Sequence, residues 1–134
     1  MKDRTIEEMT CPLEATLSVI EGKYKIYIIF YLMNRTLRYS ELQRLIPDAT
    51  PKMLSQQLKA LETAGIVRRK VYPVIPPKTE YSLTERGASL APIIFEMYKW
   101  GEQIFLEHDK TDFCSYEDLL HLIEAAGKEP ERSV

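Results

Sequence analysis

A chain of 134 residues with 45% apolar side chains is long enough for one domain with its own core, and it needs neither a disulfide framework nor a metal to hold it. No run approaches the roughly 18 to 20 consecutive apolar residues of a membrane-spanning helix, and the polar stretch Met1 to Met9 lacks a signal-peptide pattern, so a soluble, cytoplasmic protein is expected. The net charge of −2 argues against a polyanionic partner until it is divided along the chain: residues 1–21 carry −3, residues 22–86 carry +7 and residues 87–134 carry −6.

The predicted elements follow in order. Pro12 stands where a first helical residue is tolerated, and Leu13, Leu17 and Ile20 recur at helical spacing until Gly22 stops the run. From Lys23 to Asn34 the chain is too densely apolar for a one-sided helix, which predicts a buried central element; its β-branched content admits a strand, but twelve residues favour a helix. Ser40 is the expected cap of a helix whose inner face is Leu42, Leu45 and Ile46, ended by Pro47. After the tight connection Asp48-Ala49, Thr50 as cap and Pro51 as first residue open a second short helix, with Leu54, Leu58 and Leu61 in register until Gly65. Two short helices joined by a tight turn are the core of a helix-turn-helix.

Beyond Gly65 the period falls to two. Ile66 to Tyr72 and Thr79 to Leu83 read as strands around the proline-stiffened loop Pro73 to Lys78, a hairpin with a projecting tip. Thr84 caps a long helix whose apolar residues, Leu90 to Phe105, cover more than one face and so call for a second partner. Ser115 begins a short amphipathic helix through Ile123 that ends near Gly127. The fold class is therefore mainly α with a small β-hairpin wing. The expected division is an N-terminal arm (1–10), a winged helix-turn-helix domain with dimerisation helices (11–107) and a C-terminal helical extension (108–134).

On the second helix of the pair, Lys52, Ser55, Gln56 and Lys59 share one face, because successive residues advance by about 100°. Gln can pair with adenine edges, Ser serves phosphate or base, and Lys neutralises phosphate or reaches guanine, which is the chemistry of a major-groove helix; an ordinary solvated face has the same composition. The cations of the hairpin favour the first, although a solvent-facing charge that guards a sheet edge is the alternative for any single one of them. Arg68, Lys70 and Lys78 can hold DNA backbone, with Arg69 pointing the opposite way by strand alternation.

The segments Cys11 to Lys23, Arg38 to Leu42, Lys52 to Leu58, Leu61 to Val67 and Val71 to Thr84, in that order, resemble the HxlR-type family of bacterial and archaeal regulators over about residues 11–102. The resemblance implies a winged helix-turn-helix, a homodimer formed through the terminal helices, and binding to a double-stranded DNA operator by the helix from Thr50 together with the wing Tyr72 to Lys78. Tyr24 stands where the family often has Trp; residues 106–134 lie outside the resemblance. The implied dimer surface is placed on Leu13, Leu17, Ile93, Ile94, Met97, Tyr98 and Trp100, on an inverted-repeat operator. Some members of the family sense oxidants or electrophiles through a cysteine ahead of the first helix, which makes Cys11 a candidate redox switch. A helix N-terminus favours thiolate, whereas Glu7, Glu8 and Glu14 oppose it, and a small packing residue is the alternative.

Cys11 and Cys114 lie far apart and read as thiols rather than as a disulfide. Cys114 with His108, Asp109 and Asp112 matches no zinc spacing, so no metal and no cofactor are expected. Nucleophile, base and orienter at catalytic spacing are absent, as is a glycine-rich phosphate loop, so an enzyme is not expected. The remaining alternative is a winged-helix interaction module whose basic surface meets an acidic protein partner.

Overall fold

The structure, a computed structural model, describes residues 4–113. The expected C-terminal helix from Ser115, and Cys114 itself, lie outside the described residues. Arg4 pairs with Glu14 and donates to the Glu8 carbonyl, which ties the leading segment, with its 3-10 turn Ile6–Glu8, to helix α1 (Pro12–Ile20). Gly22, at φ +137°, turns the chain into α2 (Lys25–Tyr31). This second helix is shorter than the predicted Lys23 to Asn34 but holds the predicted place: Ile28, Ile29 and Leu32 are at most 1% exposed, which puts them at the centre of the core. Asn34, in the left-handed region at φ 54°, reverses the chain after it.

A two-residue strand, β1 (Leu37–Arg38), was not foreseen, since two residues carry no period. It leads directly into α3 (Tyr39–Leu45). Ser40 is not the cap of this helix. The N-cap is Arg38, whose backbone N–H donates to the Glu41 carboxylate at 2.6 Å, so the carboxylate of the third helical residue does the work expected of a hydroxyl. Helix α4 (Pro51–Thr63) is capped as predicted, the Thr50 hydroxyl accepting from Met53 N–H at 3.1 Å, and Leu54, Leu58 and Leu61 are buried on its inner face. Its far end closes in a Schellman motif. Gly65, at φ +78°, donates to the Glu62 carbonyl at 3.0 Å and Ile66 donates to that of Leu61 at 2.9 Å, with Leu61 and Ile66 both buried.

Strands β2 (Val67–Tyr72) and β3 (Lys78–Leu83) form the hairpin, and β1 adds to its other side, giving an antiparallel sheet in the order β1-β3-β2. The register pairs Arg68 with Ser82, Arg69 with Tyr81, Lys70 with Glu80 and Tyr72 with Lys78. Leu37, Val67 and Tyr81 are buried on the inner face of the sheet. Thr84 then joins the wing to the helix pair. Its backbone N–H donates to the Ile66 carbonyl at 3.0 Å and its hydroxyl to that of Gly65 at 2.6 Å, while the hydroxyl accepts from Gly87 N–H at 3.1 Å to cap α5 (Glu85–Glu107). Gly87 is required by this junction, because a Cβ there would lie 2.2 Å from the Ile66 carbonyl oxygen. Helix α5 runs through Pro92 without interruption, buries Ala91 and Ile94, and packs on α2, where Tyr98 stacks on Phe30.

Candidate nucleic-acid interface

The turn between α3 and α4 is held from two sides. Gln43 donates its amide to the Ala49 carbonyl at 2.7 Å. Tyr24 donates its hydroxyl to the Asp48 carbonyl at 3.1 Å, and its own backbone N–H donates to Gln57 Oε1 at 2.8 Å. Tyr24 is therefore more than a core residue: it fixes both the turn and the helix that follows to α2. Sequence reading assigned neither Gln43 nor Tyr24 this role, because each of their bonds joins a backbone group to a side chain across the fold, which no side-chain pattern reports.

With α4 held in this way, Lys52, Ser55, Gln56 and Lys59 are all exposed on the face opposite the buried leucines, as the 100° spacing requires. Ser55 is not free to turn at random, since its hydroxyl lies 3.3 Å from that of Tyr39, which itself donates to the Pro51 carbonyl at 3.1 Å. Tyr39 thereby orients one of the candidate reading residues, a role visible only once α3 and α4 are placed together.

On the wing, Arg68, Lys70 and Tyr72 share the outer face of β2 with Ser82, Glu80 and Lys78 of β3. The Tyr72 ring is a cation platform, with Lys70 Nζ 4.9 Å and Lys78 Nζ 4.8 Å from its centroid. Its hydroxyl donates to Glu80 Oε1 at 2.8 Å, and Lys78 Nζ lies 3.6 Å from Glu80 Oε2. Lys78 is half-buried by these contacts, whereas Arg68 and Lys70 are exposed. Arg69 points to the other face, where it hydrogen-bonds Tyr81. Burial pushes the Tyr81 hydroxyl above its ordinary pKa, with Arg69 acting in the opposite direction. At the tip, Ile75 is 99% exposed.

The residues expected at a dimer surface divide into two groups. Ile94 is buried in the domain's own core and Tyr98 is half-buried, its ring stacked 5.6 Å from that of Phe30, so these two support the monomer. Ile93, Met97 and Trp100 are exposed and, with Ile104, fall at i, i+4, i+7 and i+11, a single apolar stripe along α5; Leu13 and Leu17 form a shorter one on α1. Cys11 is exposed at the N-cap position of α1. Among the described residues no group of three His, Cys, Asp or Glu side chains gathers to hold a metal ion, and no helix is long and apolar enough to cross a membrane.

A braced helix pair with a cationic outer face, followed by a hairpin carrying further cations, defines a winged helix-turn-helix regulator. Residues 19–109 match the family model described as HxlR-like helix-turn-helix, and the chain belongs to that family. It is 49% identical over 96 residues, 72% of this chain and 81% of the relative, to the uncharacterized HTH-type transcriptional regulator YkvN of Bacillus subtilis. Among solved structures it is similar to the redox regulator HypR in its oxidized form, at 47% identity and a TM-score of 0.66 over 69% of this chain and 96% of that one. It is also similar to the reduced form of the transcriptional regulator YodB from B. subtilis, at 38% identity and a TM-score of 0.61 over 71% and 94%.

Proposed function

We propose that the protein regulates transcription as a homodimer that binds an inverted-repeat operator, with α4 in the major groove and the wing against the adjacent backbone. The observation that carries this reading is the exposed row Lys52, Ser55, Gln56 and Lys59 on a helix held rigidly by Tyr24, Gln43 and Thr50. Gln56, exposed on α4, carries the amide chemistry of base reading and Lys78, on the wing beside Tyr72, carries charge for the phosphate backbone, so their removal has different signatures. Gln56→Ala is expected to weaken binding by about 5-fold or more at particular base pairs and to leave random duplex almost unaffected. Lys78→Ala is expected to weaken all sequences alike and to lower the salt slope by about one. Competition binding at several salt concentrations measures both; uniform loss from Gln56→Ala moves the reading face elsewhere.

Cys11 supplies a signal input in this scheme. Its thiol is exposed at the start of α1, beside the apolar residues Leu13 and Leu17 that are assigned to the subunit contact, so oxidation there adds bulk or charge where two subunits meet. The name of HypR, a redox regulator, supports the same reading. Diamide, which takes two electrons and two protons from a pair of thiols, is expected to join Cys11 by a disulfide to the Cys11 of a second copy, or to Cys114 if that is the resolving thiol, and to release DNA from the wild type; a thiol reductant is expected to restore binding, and Cys11→Ser to bind normally without responding. A mobility-shift assay on both proteins checks this, and equal behaviour of the two returns Cys11 to a packing role.

A further inference from the structure

We propose that Ile75, at the tip of the wing, is a specificity-determining residue that tests the minor groove of the operator for the absence of guanine. This role deepens the DNA-binding reading above and depends on it. Ile75 is the most exposed large apolar side chain among the described residues, at 99%, and an aliphatic group displayed so fully at the end of a hairpin contributes nothing to the monomer's core. Its presentation is stiff. Pro73 precedes it by two residues and Pro76-Pro77 follow it, each with φ fixed by its ring, and the Val74 N–H donates to the Tyr72 carbonyl at 2.8 Å in a tight turn over Pro73.

What surrounds the tip says what it meets. Directly below it, Lys70 and Lys78 stand on the Tyr72 ring at 4.9 and 4.8 Å, with Glu80 tying down both the Tyr72 hydroxyl and Lys78. An apolar tip on a rigid stem of two ammonium groups and one carboxylate, with a net positive charge, suits a surface with phosphates on either side and a less polar floor between them, whereas an apolar protein pocket would have to accept these charged groups at its rim. The minor groove is about 6 Å wide, admits one aliphatic side chain, and distinguishes its base pairs mainly through the guanine 2-amino group. That group is a donor and a bulge. Isoleucine offers it no acceptor, so a G·C pair beneath the tip leaves a desolvated amine unpaired, while an A·T pair presents a floor the side chain can lie against.

The test is in vitro selection from a pool of random-sequence duplexes with the full-length wild type and with Ile75→Ser. Because Ile75 is fully exposed, the variant keeps the fold. Wild-type selection is expected to yield a major-groove consensus flanked, roughly five base pairs outside each half-site, by A·T pairs. Replacing one such pair by G·C should weaken binding about 5- to 10-fold, and inosine in place of that guanine, which lacks only the 2-amino group, should restore it to within about twofold. Ile75→Ser should keep the major-groove consensus and lose the flanking preference. Flanks that tolerate G·C in the wild type, or an A·T preference that persists in Ile75→Ser because the lysines sense groove width alone, would overturn the assignment of Ile75. Failure to enrich any sequence would instead overturn DNA recognition itself, and the role of Ile75 with it.

Discussion

Two glycines flank the junction between α4 and the rest of the wing, and they are needed for different reasons. Gly65 has open space around its α-carbon but sits at φ +78°, so Gly65→Ala meets only the left-handed penalty of about 1 to 2 kcal/mol. Gly87 has helical geometry but faces the Ile66 carbonyl so closely that a methyl group cannot fit without moving backbone. Gly87→Ala is therefore expected to destabilise the protein by about 1 to 3 kcal/mol, and to do so by prying α5 from the end of α4. Urea unfolding measures both variants. A neutral Gly87→Ala would mean that α5 can shift away from Ile66 at no cost. The sequence marked Gly65 as the end of α4, but nothing in it singled out Gly87, because a close approach between segments some twenty residues apart has no local signature.

At the level of elements, the sequence was most legible where a local signal and a tertiary demand coincide. Thr50-Pro51, the leucine row to Leu61 and Gly65 each describe α4 from inside the segment, and the helix lies where they put it. Thr84 was recognised as a cap, but its second task, holding the Gly65 carbonyl, depends on where the wing returns. β1 was invisible because its two residues become a strand only by pairing with Tyr81 and Glu80. For the candidate site, the polar face of α4 was read from period and the wing cations from their place on the hairpin, whereas Tyr39, which orients Ser55, and Tyr72 and Glu80, which hold Lys78, are known only by their contacts. The sheet also makes a prediction of its own. Tyr81 is buried on its inner face and its folded pKa is raised above the ordinary value of 10.0, so its contribution to stability is fully present below pH 10 and is lost as pH rises through the raised value. Alkaline titration followed by circular dichroism is expected to show falling stability above about pH 10, with a flatter limb in Tyr81→Phe. Identical limbs would mean that Tyr81 ionises as easily folded as unfolded.

The described residues carry the exposed cations of α4 and the wing, the proposed DNA face, and separately an apolar stripe on α5 that no other described residue covers. Helix α5 connects them: it begins at the Thr84 junction beside the end of α4 and carries the stripe Ile93, Met97, Trp100 and Ile104 toward its far end. If two copies meet on that stripe, Ile93→Glu should leave the monomer folded, because Ile93 is exposed, yet lower affinity for a two-half-site operator by about 100-fold or more through lost bivalency. Trp100 gives a direct readout of the same event. It is the sole tryptophan of the chain and is 71% exposed when the chain is alone. An indole in water emits at longer wavelength than one enclosed by aliphatic side chains, so the protein carries its own optical gauge of association. On dilution from tens of micromolar to nanomolar its emission should move to the red along a binding isotherm, reporting the dissociation constant without any label, and a spectrum that does not change over that range would show that the stripe is not where the subunits meet.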